Sequence, residues 1–200
     1  MKRTCDNWQD KLSAGKFGSH LYGEFELRAK NVSTEVFRVK TVLEAGGVIV
    51  NLAKFTNAEK IVVASGPLQQ AAGIASALKS TGVAVYSGPV DIRTHVETAD
   101  IGISSVEFGI AETGSVCQDA YAIEDRLVSS LPPIHVVLMN SSNIVPGIDD
   151  ALDIISRSFD RGYISLITGP SRTADIERVL TIGVHGPGRF VIVAVDEEVV

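Results

Sequence analysis

Three apolar runs in this chain end in the same way. Ile61-Val62-Val63-Ala64 leads into Ser65-Gly66-Pro67, Val83-Ala84-Val85-Tyr86 into Ser87-Gly88-Pro89, and Tyr163–Ile167 into Thr168-Gly169-Pro170. Short runs with no polar alternation suit strands covered on both faces, as in a parallel sheet. The glycine permits a tight turn, and the proline suits a turn or the first position of a helix. Ile134–Met139 and Phe190–Val195 are two further runs of this kind. Helical patterns alternate with them. Gln69–Lys79 is rich in alanine, and Ile148, Leu152, Ile155 and Phe159 fall at i, i+4, i+7 and i+11 behind the acidic Asp149 and Asp150. Ile176, Val179, Leu180 and Gly183 repeat that spacing. The alternation predicts an α/β fold, a mainly parallel sheet flanked by helices. Ligands of open parallel sheets bind beyond the strand C-termini, and all three Ser/Thr-Gly-Pro turns are expected on that edge.

The first 45 residues are polar and harder to read. They are taken as an N-terminal helical region (1–45) packed on a main domain (46–200). A short helix is expected near Asp6–Ala14, then a loop broken by Gly15, Gly18 and Gly23. Ser33 or Thr34 would then cap a helix carrying Val36, Val39 and Leu43 on one face, stopped by Gly46-Gly47.

Composition narrows the functional classes. An apolar fraction of 45% with 21% charged residues is globular. The net charge of −6 comes without any Lys/Arg cluster, which argues against a nucleic-acid surface. No apolar run approaches a membrane span, and no apolar leader follows Met1, so a cytoplasmic location is expected. Cys5 and Cys117 are far apart and unlike in setting, which fits a reducing compartment better than a structural disulfide. The sequence has no Cys-x-x-Cys, Gly-x-Gly-x-x-Gly or Walker-type Gly-Lys-Ser/Thr pattern. Iron–sulfur clusters, dinucleotides and nucleoside triphosphates are therefore not expected through those routes, and no metal site is predicted.

The candidate chemistry lies in two segments. In the first, Gly169-Pro170-Ser171-Arg172-Thr173-Ala174-Asp175 follows an apolar strand and reads as the start of a helix. Free backbone N–H groups there favour an anion, and Arg172 beside the positive helix end calls for negative charge. That charge is either a carboxylate or phosphate ligand, or Asp175 and Glu177 nearby. Ordinary capping would account for Ser171, Thr173 and Asp175 equally well. In the second, Ala111-Glu112-Thr113-Gly114, a carboxylate stands in an otherwise apolar, small-residue stretch. Glu112 is a nucleophile or base with Thr113 and Gly114 as donors, or it caps or salt-bridges a turn. His185, in Gly183-Val184-His185-Gly186-Pro187, is a candidate acid/base on a loop. Arg126 either projects into the same cleft or pairs with Glu124 or Asp125. His135 and Cys117 read as buried structural residues.

Taken together, these motifs resemble the LUD domain family, in particular its small lactate-utilization protein C type. The resemblance rests on Ala111–Gly114, Arg126 with Leu131-Pro132, Gly169–Glu177 and Gly183–Pro187, and covers about the last two-thirds of the chain. It implies a fold similar to that of glucosamine-6-phosphate deaminase, ribose-5-phosphate isomerase and the CoA transferases. It also implies a cluster-free subunit of a complex that oxidises L-lactate to pyruvate, with iron–sulfur clusters carried by partner subunits. A different reading is an independent enzyme on a sugar phosphate or CoA thioester. A third is a small-anion sensor without chemistry.

Overall fold

Arg189–Val195 is the centre of the molecule: all but its first residue are buried, and it is hydrogen-bonded on both sides. In this computed structural model, which describes residues 8–12, 15–158, 162–173 and 181–199, that strand is β12 of a six-stranded sheet. Its neighbours are β1 (Glu35–Val39), β2 (Lys60–Val63), β3 (Ala84–Tyr86), β4 (Ile101–Ser105) and β7 (Ile134–Asn140), in the order β1-β12-β7-β4-β2-β3. Every pairing is parallel.

Burial follows the two-residue period of a strand. Val191, Val193 and Val195 join Val136 and Leu138 on one face, beneath α2 (Val42–Phe55), α3 (Pro67–Ala71) and α4 (Ile74–Lys79). Phe190, Ile192 and Ala194 join Val137 and Met139 on the other face, against Tyr22 and Phe25 of α1 (Tyr22–Asn31). Farther along that face, α5 (Pro89–His95) and α6 (Ile123–Ser130) cover Val62 and Ala64. Beyond α1 stands a second sheet, β8-β5-β6-β9, made of β5 (Phe108–Ile110), β6 (Ser115–Asp119), β8 (Ile144–Val145) and β9 (Ile164–Ile167). Its outer face packs Phe108, Ile110 and Cys117 on Ala151 and Ile154 of α7 (Ile148–Ser158) and on Trp8. A short antiparallel ladder joins β10 (Arg172–Thr173) to β11 (Thr181–Ile182).

The α/β class and the parallel sheet are as the sequence predicts, but four local expectations differ. Tyr163–Ile167 does not join the parallel sheet: β9 runs antiparallel to β6. Only two of the three Ser/Thr-Gly-Pro turns therefore share its carboxyl rim. The segment around Val36 and Val39 is β1, since β-branched residues here gain more from pairing with β12 than from a helix. The helix starts instead at Thr41, whose Oγ1 accepts from the Glu44 N–H, while Glu44 accepts from the Lys40 N–H. It runs through Gly46-Gly47, with Gly46 buried near the Ala72 carbonyl. The expected division at residue 45 thus falls inside α2, and β1 is an integral strand of the main sheet. The alanine-rich helix is two helices, divided at Gly73, which takes a left-handed conformation. Finally, Arg172–Thr173 is strand, not the first turn of a helix. Residues 174–180, with Asp175 and most of that expected helix, lie outside the described residues, as do Cys5 and Phe159.

Candidate functional site: the junction of the motif loops

The sequence motifs converge on the C-terminal end of α1. After β5 the chain turns at Ala111-Glu112-Thr113-Gly114, with the Ala111 N–H donating to Val145 O and the Glu112 N–H to Pro146 O. Gly114 has φ +68, and a Cβ there would lie 2.2 Å from the Ala29 nitrogen. Any other residue would push the turn off α1. The next residue, Ser115, exchanges a hydroxyl hydrogen bond of 2.7 Å with Thr168, at the end of β9. Gly169 follows with φ +72, and a Cβ there would lie 2.4 Å from Val32 O. Arg172 then reaches the same place, donating from Nη2 to Val32 O at 2.6 Å and to Ser33 Oγ at 3.1 Å.

A second set of contacts fastens the last motif to this junction. The Ser171 N–H donates to Pro187 O and the Gly183 N–H to Ser171 O. A Cβ on Gly186 would stand 3.1 Å from that of Ser171 and 3.9 Å from Ser130 O, so the loop also abuts the end of α6. His185, on this loop, is exposed, as is Arg172. Gly183 has φ +77 and follows β11 rather than closing the helix expected before it. Thr173 pairs with Thr181 across the short ladder.

The charged candidates serve different elements. Glu112 Oε2 accepts from the Ile148 N–H at 2.9 Å, placing a carboxylate on the N-terminus of α7. Space for it is left by Gly147, where a Cβ would come within 2.8 Å of Oε2. Arg172 binds the end of α1. In this geometry the carboxylate caps one helix and the guanidinium another, with Thr113 Oγ1 accepting from the Ser115 N–H. Arg126 lies with Cζ 5.0 Å from the Tyr163 ring centre and its Nη2 directed to Tyr121 O. Glu124, one of the partners expected for it, is held instead by Arg93 at 2.6 Å.

Sequence reasoning missed a second polar system, at the rim of the parallel sheet. His135 Nε2 lies 2.8 Å from Ser104 Oγ, which also accepts from Gln118 Nε2 at 2.9 Å. All three side chains are buried, and burial pushes the His135 pKa down to about 3, so the ring is neutral. Next to them, Gln69 donates to Ser105 Oγ and forms one wall of an open cleft of about 350 Å³. The signal for this region was present in Ser65-Gly66-Pro67 and Ser87-Gly88-Pro89, which flank it. What no pattern gave was the pairing of Gln69 and Gln118 with serines on another strand. Among the described residues, no group of three His, Cys, Asp or Glu side chains is placed to hold a metal ion. No helix among them is long and apolar enough to cross a membrane.

The architecture is thus that of an α/β protein whose parallel sheet carries a smaller mixed sheet on one side, with the motif loops fastened by specific loop-to-helix contacts. The chain belongs to the LUD domain family, whose model matches residues 22–195. It is 34% identical over 140 residues to Lactate utilization protein C of Anoxybacillus flavithermus, covering 68% of this chain and 63% of that protein. It is 38% identical over 106 residues to Lactate utilization protein C of Bacillus subtilis, covering 50% of this chain and 44% of that one. The chain therefore spans about half to two-thirds of the length of these relatives. In fold it is similar to a DUF162 family protein from Deinococcus radiodurans, solved at 1.70 Å, with a TM-score of 0.62 and 19% identity over 88% of this chain and 97% of the other.

Proposed function

We propose that this chain acts in lactate utilization, as a cluster-free subunit of an assembly that oxidises L-lactate to pyruvate. The names of its relatives support the pathway, and one structural observation supports the role. Tyr121, Ile123, Tyr163, Leu166, Ile182 and Val184 are all exposed, on α6 and the loop before it, on β9 and the residue before it, and on β11 and the loop after it. Arg126 over the Tyr163 ring adds a guanidinium to that surface. Aromatic and arginine side chains among exposed aliphatic ones are the composition of a docking face. On this reading the junction sets the shape of the face, and an iron–sulfur partner sits on it. The two electrons leaving lactate pass to that partner's clusters.

The test uses a tagged chain recovered from cells growing on L-lactate. A cysteine-rich, iron-containing partner is expected to co-purify with the wild type. Tyr163→Asp and Ile182→Glu should lose it while keeping the wild-type circular dichroism. A deletion strain should grow poorly on L-lactate and be rescued by the wild type but not by these variants. Normal growth of the deletion strain would remove the proposal.

A further inference from the structure

The cleft at the carboxyl rim has a composition that the motif junction does not share. It lies where β2 is flanked by β3 on one side and β4 on the other. The chain leaves β2 through α3 and α4 toward β3 and leaves β4 toward β5 of the second sheet, so the two exits diverge and leave a crevice. Ser65, Gln69, Gln70, Gly73, Ser76 and Ser87 line it, and none of its lining side chains is charged. Across the mouth, Gln70 Nε2 donates to Ser65 Oγ at 3.0 Å.

The floor is built rather than incidental. Gly66 is extended, so its φ does not require glycine; space does. A Cβ there would lie 2.3 Å from Gln69 Oε1 and 2.5 Å from Ser105 Oγ. Gln69 is 4% exposed, its Nε2 donates to Ser105 Oγ, and its Oε1 has no hydrogen-bond partner. A buried carboxamide oxygen without a donor is uncommon in folded proteins and costs about 1–3 kcal/mol. Ser105 in turn belongs to the strand that carries Ser104 and its contacts with His135 and Gln118. The carboxamide thus sits where the cleft meets an ordered internal network.

We infer that this cleft binds a neutral, hydroxyl-rich molecule of mono- to disaccharide size through Gln69 and the hydroxyls of Ser65, Ser76 and Ser87. Three considerations select that class. Hydroxyls and carboxamides both donate and accept, which matches the dual character of sugar hydroxyls. The absence of a cationic side chain from the lining leaves a phosphate or carboxylate uncompensated in a protein of net charge −6. The lining is otherwise small (Val63, Ala64, Gly73 and Ala75), giving no aromatic platform on which a nucleobase would stack. The volume lies at the lower end of the range of small-molecule sites, and lactate would occupy only a small part of it.

The test is amide chemical-shift mapping on the full chain with D-glucose and sucrose as probes, and D-glucose 6-phosphate and L-lactate as anionic counterparts. Saturable shifts at Ser65, Gln69, Ser76 and Ser87 are expected with a neutral sugar, and weaker or none with the anions. Ser76 is exposed, so Ser76→Trp should fill the cleft without unfolding the chain and weaken binding by at least about tenfold. Ser87→Ala, which removes one hydroxyl and little volume, gives a second check. No saturable shift with either sugar overturns the inference, as does equal binding by both variants or tighter binding of the anions. None of these readouts depends on whether growth on lactate requires the protein.

Discussion

Arg172 donates to the carbonyl oxygen of Val32 across 140 positions of sequence, at 2.6 Å. Val32 ends α1, where carbonyls have lost their intrahelical partners, and a guanidinium there also meets the negative end of the helix dipole. The contact ties the loop after β9 to the first helix of the chain. Arg172→Ala is expected to lower the free energy of unfolding in urea by about 1–2 kcal/mol, with Arg172→Lys recovering part, since both contacts come from the one nitrogen Nη2 and a shorter side chain ending in an ammonium still carries donors. A variant of unchanged stability that nonetheless fails to support growth on lactate would assign Arg172 to a ligand instead.

Glu112 gives a parallel case at the other end of a helix. Its carboxylate accepts from the Ile148 N–H, so Glu112→Ala removes both a cap and a favourable charge from α7. A loss of about 1 kcal/mol is expected, accompanied by faster amide exchange at Ile148 and the first turn of α7. Glu112→Gln keeps an acceptor and should lose less. If Glu112→Ala were as stable as the wild type, with no change in exchange at α7, the capping role would be wrong.

Why part of this was legible and part was not can be seen in single residues. The runs at Ile61, Ile134 and Phe190 are strands because they are apolar on both faces, and the sequence shows that directly. Tyr163–Ile167 reads much the same way apart from Ser165, yet whether a strand joins one sheet or another is decided by distant partners, here Val116–Asp119. Helix signals failed where tertiary contacts prevailed: Gly46 and Gly47 lie inside α2, and Val36 pairs with Ile192. At the junction, the loops that carry the motifs meet, but the contacts that join them are not written in the local sequence. Arg172 reads as short of a partner, and the structure gives it a backbone carbonyl 140 residues away, an acceptor rather than a charge. Long-range acceptors of that kind leave no local pattern. Gln69 and Gln118 left none either, because a glutamine becomes informative only once its burial is known.

Cys117 is fully buried between the second sheet and α7, and burial, followed by the nearby Glu107 and Asp119 carboxylates, pushes its thiol pKa far up. The thiolate is the reactive form, so the native thiol should be inert. In a Cys5→Ser background, Ellman's reagent at pH 8 is expected to report no fast-reacting thiol in buffer and one in denaturant. Fast stoichiometric labelling of the native protein would contradict the packing around β6.

His135 provides a pH signature with a definite sign. Burial holds its folded pKa near about 3, below the ordinary value of 6.5 that the unfolded chain restores. The unfolded state therefore takes up the proton first. The contribution of the neutral ring to stability is fully present above pH 6.5 and declines as the pH falls from there toward 3. Each pH unit within that window costs about 1.4 kcal/mol, so roughly 2 kcal/mol should be lost between pH 6.5 and 5 from this group alone. Carboxylates add their own losses at lower pH, which makes the comparison with His135→Gln the informative one. The variant retains a side chain able to reach Ser104, starts from a lower stability, and should show a shallower decline between pH 6.5 and 5 in urea titrations. Parallel declines for the two proteins would mean that the imidazole is hydrated or paired in the native state, and that the buried chain from His135 through Ser104 to Gln118 is not closed to water.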